Sequence, residues 1–454
     1  MISKNITYLS GYSFAKKWRP MNYLQTGLCL LLGIACYRSA WALKVEPGVG
    51  AGVEYTDNVR LTSNNKQSDT IGVAYVGANI EQKSGALRAN ANTTLNYQHY
   101  SQNTFSDQHY FNLNGLMDWE MVKNQFHLLL RDNFSQRTVN SLGTNVPNNL
   151  QDTNVFTFGA NWDIQLSARN KLTLLPEYRQ FYYEVQATDN KQISLAANWS
   201  YLMYPLLNVG LNASVRKIDY NQTSIADTRF STLHVNFSGK RPQSSYSLNL
   251  GATHVSRDTG QGNTGFSGSF NGQLNFTNTS KLQARLSTEL TDSSSGSLNT
   301  INDPSAGDVN NVQIATDVIR NKLFRLAYLR EDGSLNSKLW TQLREVLYSQ
   351  SPNDRRISSL GIDLNYPLTD LLSGRFYTYY DRNRLLQQSR TDKTVSAGVG
   401  LSYHHSRKLR SVLDIKYRNR NSTSALSDYS SSSIFYSLIY GFGQVRAPTL
   451  TGGY

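Results

Sequence analysis

Apolar and polar residues alternate singly over stretches of ten residues and more, and no other feature limits this chain so tightly. In LRANANTTLNYQHY, residues 87 to 100, Leu87, Ala89, Ala91, Thr93, Leu95 and Tyr97 interleave with Arg88, Asn90, Asn92, Thr94, Asn96 and Gln98. A period of two puts successive side chains on opposite faces of a strand, whereas a helical period would mix them. The scheme recurs in YFNLNGLMDWEM, FTFGANWDIQL, FSGSFNGQLNF, KLQARLSTEL and LRSVLDIKYRNR. These strands are longer than the five or six residues usual in soluble sheets.

Tight connections are expected at Lys83 to Gly85, Val122 to Asn124, Ala168 to Asn170, Tyr204 to Leu206, Lys240 to Gln243, Asn278 to Ser280, Gly333 to Asn336, Leu368 to Asp370 and Ser406 to Lys408. Between them lie polar, mostly longer connections: 57 to 69, 101 to 107, 139 to 153, near 188 to 190, 222 to 227, 258 to 264, 292 to 312, 350 to 355, 387 to 392 and 421 to 428. Short turns at one end and longer loops at the other describe a membrane barrel. The spacing predicts an all-β chain: one transmembrane antiparallel barrel of about 20 strands, with 18 to 22 allowed by ambiguous stretches at 70 to 82 and 311 to 350. An open sheet of this size would leave unpaired edges, which closure removes.

Only 39% of the residues are hydrophobic, yet 28 are tyrosine and 17 phenylalanine, which argues against disorder. One face of each strand is expected to meet lipid and the other water. On that reading Leu95 faces lipid, and Asn96 faces water and tolerates a cation. Several tyrosines (Tyr97, Tyr100, Tyr110, Tyr201, Tyr204, Tyr403, Tyr417) fall near strand ends, where an interfacial belt would sit. The last strand alternates Ile434, Tyr436, Leu438, Tyr440 and Phe442 with smaller or inward residues. It resembles the recognition signal of the barrel-assembly machinery, which becomes an expected partner along with outer-membrane lipid.

Residues 1 to 42 read as a cleaved secretory signal. Basic residues precede the apolar run TGLCLLLGIAC, which is followed by Ala40-Trp41-Ala42, a small-x-small site. The barrel is expected over 43 to 442, followed by a C-terminal tail at 443 to 454. Cys29 and Cys36 both fall in the leader, so disulfides and thiol chemistry are not expected in the mature chain. The implied compartment is the outer membrane of a Gram-negative cell.

VEYTDNVRLTSNNKQSDTIGV, residues 53 to 73, resembles the opening of a family of outer-membrane β-barrel porins that includes proteins of the PEP-CTERM and exosortase system. Tyr55, Thr56, Asp57, Asn58, Ser68 and Asp69 carry the match. The resemblance implies a neighbourhood of exopolysaccharide synthesis. It makes polysaccharide, or polysaccharide-export proteins, expected partners.

Little points to catalysis. Gly48, Gly50 and Gly52 lie inside a strand rather than between a strand and a helix, so close wall packing explains them better than a nucleotide loop. The seven histidines are scattered, and adjacent His404 and His405 face opposite sides. Asp292, Asp303 and Asp308 fit no defined calcium loop, so 292 to 308 reads as a solvated loop. No enzyme activity, cofactor or nucleic-acid partner is expected.

Charge gives the functional lead. The formal net charge is +13, and Arg320 to Arg420 alone holds 19 Lys and Arg against 9 Asp and Glu. Arg or Lys facing lipid at mid-membrane costs roughly 2–4 kcal/mol, so such residues should face inward. Arg88, Arg216, Arg285, Arg410, Lys416, Arg418 and Arg420 are the expected lumen basic residues. Asp118, Glu120, Asp163, Glu289, Asp363 and Asp414 are the acids able to neutralise them. The sequence thus predicts a porin-like barrel that passes, or helps export, a polar anionic solute linked to exopolysaccharide. A general diffusion porin and a non-conducting surface scaffold are the alternatives.

Overall fold

A computed structural model describes residues 43–441 apart from 261 and 302–311. The expected leader, Phe442, the tail at 443–454, Asp303 and Asp308 lie outside the described residues.

Twenty strands follow one another. They begin with β1 (Leu43–Thr56), β2 (Asp69–Ser84), β3 (Leu87–Tyr100), β4 (Gln108–Val122) and β5 (Phe126–Thr138). Then come β6 (Leu150–Ser167), β7 (Asn170–Tyr183), β8 (Asn190–Tyr204), β9 (Leu207–Tyr220) and β10 (Thr228–Arg241). β11 (Ser244–Arg257), β12 (Gly262–Asn275), β13 (Ser280–Asp292), β14 (Val318–Glu331) and β15 (Asn336–Tyr348) continue the wall. It ends with β16 (Arg355–Pro367), β17 (Leu372–Leu385), β18 (Arg390–His404), β19 (Leu409–Ser422) and β20 (Tyr429–Gly441). Sequential strands pair antiparallel in one 20-stranded sheet, and β20 returns to β1 from Gly48↔Gly441 to Thr56↔Ser433. The sheet is a closed barrel. A strand of 13 residues is about 43 Å long, enough to cross a bilayer when tilted.

Register sorts the two faces. Leu95 pairs with Val76 and Phe111, and these three are 47%, 52% and 40% exposed on the outer wall. Asn96 points inward, as its alternation requires, but it is only 5% exposed. The inward side at the loop end is therefore packed rather than bathed in water. Ile71, Val73, Tyr75, Tyr100, Phe105, Phe435 and Ile439 form one apolar cluster there; Ile218, Phe230, Val255, Leu290 and Val318 form another. Nearer the short turns, inward residues such as Arg88, Asn92 and Asn271 are exposed.

Gly50 belongs to this packing. A Cβ added there would lie 2.3 Å from the Tyr75 ring. Gly398 gives the same room to Tyr377, at 2.4 Å. In both places an inward ring covers the missing side chain on a neighbouring strand, which closes the wall without a void.

Candidate functional site

The long connection after β13 turns inward. It starts with α1 (Ser293–Ile301), capped by Asp292, whose carboxylate accepts the Ser295 N–H at 2.8 Å. Ser293, Ser294, Ser295 and Ser297 are buried. This corrects the expected solvated loop. Its short hydroxyl side chains are polar enough to look solvated, yet small enough to pack against wall side chains that donate to them.

Those donors come from well-separated strands. Arg137 on β5 donates to Ser297 Oγ at 2.6 Å, and Asn190 on β8 donates to Ser294 Oγ at 3.2 Å. Arg216 on β9 donates to Ser295 Oγ at 3.1 Å and pairs with Asp292 at 3.2 Å. From the opposite stretch of wall, Arg344 on β15 reaches the Gly296 carbonyl at 3.4 Å. The returning leg is fixed as well. Val312 packs with Ile319, Val346 and Tyr348, while Ile314 packs with Val155, Phe181 and Tyr183 on β6 and β7. Asp317 accepts from Arg257 at 3.4 Å and from the Gln350 and Ser351 amides at 2.9 Å. The β5–β6 loop meets it, because Ser141 N–H donates to Gln313 Oε1 at 2.8 Å. Ser141 Oγ in turn accepts from Arg355 on β16 at 3.0 Å. Together these two connections constrict the loop half of the lumen.

The charge balance at the constriction is distinctive. Arg137, Arg344 and Arg355 are 6%, 5% and 0% exposed, and they donate to hydroxyl, amide and carbonyl oxygens. Among the described residues none of the three has a carboxylate within ion-pair distance. One guanidinium nitrogen each of Arg137 and Arg355 is buried with no hydrogen-bond partner in the structure. A buried unpaired guanidinium N–H is costly, so it favours whatever anion or water can reach it.

Of the expected lumen residues, Arg216 touches α1. Arg88 stands beside the β2–β3 turn, level with Lys83 and Asp118. Arg285 is exposed and faces Arg325 and Asn271 across the strands. Arg410, Lys416, Arg418 and Arg420 lie along β19 on the face opposite Ile415 and Tyr417, which are 51% and 46% exposed. The ten residue steps from Arg410 to Arg420 extend about 33 Å. Arg418 is buried, and Arg420 stacks over Tyr429 at 5.1 Å.

Several of the neutralising acids have partners elsewhere. Asp163 pairs with Lys171 at 2.9 Å, Asp363 with Arg375 at 2.5 Å, and Asp118 with His127 at 2.8 Å. Asp414, within the ladder itself, accepts from the Tyr377 hydroxyl at 3.2 Å.

Sequence reasoning missed Arg137, Arg344 and Arg355. All three sit on inward positions, so alternation could have flagged them. What alternation cannot show is that a distant loop comes to meet them.

Solved transporters share the architecture. The FrpB iron transporter from Neisseria meningitidis (F5-1 variant) superimposes with a TM-score of 0.50 at 8% identity, covering 87% of this chain and 82% of that one. The siderophore receptor PirA from Pseudomonas aeruginosa gives 0.45 at 13% identity, over 88% and 80%. OccK2 (OpdF) from Pseudomonas aeruginosa, solved with glucuronate, gives 0.39 at 9% identity, over 88% and 99%. At such identities the likeness concerns fold. No family model matches the chain, and no curated protein matches it by sequence. The chain is an outer-membrane β-barrel of 20 strands.

Proposed function

We propose that this barrel is a conduit for polar, anionic solutes, with the β13–β14 connection as its constriction. The observation that carries the reading is the set of buried guanidinium groups at that constriction, which donate to neutral oxygens and leave N–H groups unpartnered. Guanidinium is the cation best suited to repeated, planar hydrogen bonding with carboxylate or phosphate groups. The β19 row of Arg410, Lys416, Arg418 and Arg420 extends the same chemistry along the wall. Export of an acidic polysaccharide is the finer form of the proposal, and the resemblance of residues 53 to 73 supports it.

Reconstituted in planar bilayers under a potassium chloride gradient, the full chain should show anion preference by reversal potential. Arg410→Gln, Lys416→Gln, Arg418→Gln and Arg420→Gln together should reduce it, and so should Arg137→Gln with Arg355→Gln. A cation-selective channel, or a preference indifferent to both sets, would sink the reading. The packed loop half of the lumen favours a second reading, a barrel closed at rest. In that case conductance steps appear only after residues 293–317 are replaced by a short turn.

A further inference from the structure

The outer wall carries a second charge feature, separate from the lumen. Lys322, Glu345, Arg356 and Arg384 are successive register partners on β14, β15, β16 and β17, so they form one row across the strands. One step toward the middle, Arg382 pairs with Lys393 of β18. The face follows from alternation. Leu343, Leu360, Tyr380 and Val395, next along the same faces, are among the exposed apolar residues that meet lipid. The level follows from the strand ends. Arg356 is the second residue of β16 and Arg384 the penultimate residue of β17, both beside loops rather than short turns.

This row holds five cations and one carboxylate. Glu345 accepts from Lys322 at 2.9 Å and from Arg356 at 2.7 Å. Among the described residues, Arg382, Arg384 and Lys393 have no carboxylate within ion-pair distance, and all three are exposed. The equivalent belt on β8–β10 is more nearly balanced. Lys191, Lys217 and Arg229 lie there beside Asp219 and Asp227, and Lys217 pairs with both acids. Unbalanced cations at the rim of a lipid-facing wall are poorly placed against hydrocarbon and well placed against anionic headgroups.

We infer that the outer wall of β14–β18 is a binding site for the phosphate groups of a phosphorylated glycolipid in the outer leaflet. The acyl chains lie along Leu343, Leu360, Tyr380 and Val395 while the phosphates meet the row above them. Arg356, Arg382 and Arg384 offer the forked donors that phosphate oxygens match, and Lys393 adds a point charge. The site stands independently of what passes through the lumen.

The test uses the full chain, extracted from outer membranes in mild detergent and titrated with fluorescent bisphosphorylated lipid A. Binding should fall at least about tenfold in the variant Arg356→Gln, Arg382→Gln, Arg384→Gln, Lys393→Gln, while Lys191→Gln with Arg229→Gln stays within about twofold of the native protein. Phosphate-free lipid A should bind the native protein correspondingly weakly, and this arm decides the matter even if the fourfold variant fails to assemble. Equal affinity for lipid A with and without phosphates overturns the site, as does affinity unchanged in the assembled variant. Displacement by millimolar inorganic phosphate overturns the lipid assignment, because it would reveal a site for the free anion.

Discussion

A single position shows how far alternation reads the wall. Leu95 faces outward, so Leu95→Arg sets a cation against lipid, at a cost of roughly 2–4 kcal/mol near the midplane. The inward comparison belongs at Asn92, which is exposed, rather than at Asn96, which is packed. Asn92→Arg should assemble normally and Leu95→Arg poorly, as read by heat-modifiable gel mobility of membrane fractions. Equal damage from both would mean that the faces are misassigned. Direction was legible in the sequence because it depends only on parity. Burial was not, because it depends on what else enters the lumen. Parity also has exceptions that composition hides. Asp132 pairs with Gly115 and Phe156 on the lipid side of β5, and it is only 4% exposed. Nothing in its own stretch of sequence marks a carboxyl turned away from the lumen.

Turns were the most readable elements, since each is specified by local residues. The nine expected tight connections all fall at junctions between consecutive observed strands, some overlapping a strand end by one or two residues, from Gly85, with a φ of 53°, to the turn before β19. The β14–β15 turn shows the chemistry. Asp332 accepts the Leu335 N–H at 2.9 Å and both the N–H and hydroxyl of Ser334, and its other oxygen meets Arg330. These contacts, the Leu335 amide first, hold the carboxyl well below its ordinary value of 3.8. A lowered carboxylate pKa stabilises the folded form above the unfolded value, and the contribution is lost as pH falls through the folded one. The urea midpoint of the native protein should therefore exceed that of Asp332→Ala by a constant margin above about pH 4, shrinking below it. A margin undiminished at pH 2 would place the effect outside the carboxylate. Loops were less readable than turns. The 292–312 stretch was correctly placed between strands, but its fate is set by arginines 160 and 79 residues before their partners in the chain and 48 after.

At the scale of the whole molecule, strand number, closure and antiparallel order all followed from counting hairpins, because each strand neighbours the next. Closure itself makes a sharp prediction. Ala51 and Leu438 are register partners across the β1–β20 seam, although they come from opposite ends of the barrel sequence. In a chain with Cys29→Ser and Cys36→Ser, Ala51→Cys with Leu438→Cys should cross-link on mild oxidation, giving a looped denatured chain that migrates faster. Ala51→Cys with Tyr436→Cys, two residues out of register, should not. Cross-linking of the second pair in place of the first would show a slipped seam. The inserted β13–β14 connection gives this seam a further meaning, one of timing. Its anchors on β5, β8 and β9 are translated before it, while those on β15 come after. Once β20 meets β1 the ring has no lateral gap. From then on the segment is captive, and it can leave only along the axis through the ring. Its contacts with β15 can therefore form only once the strands that follow it are in place, late in the barrel's assembly.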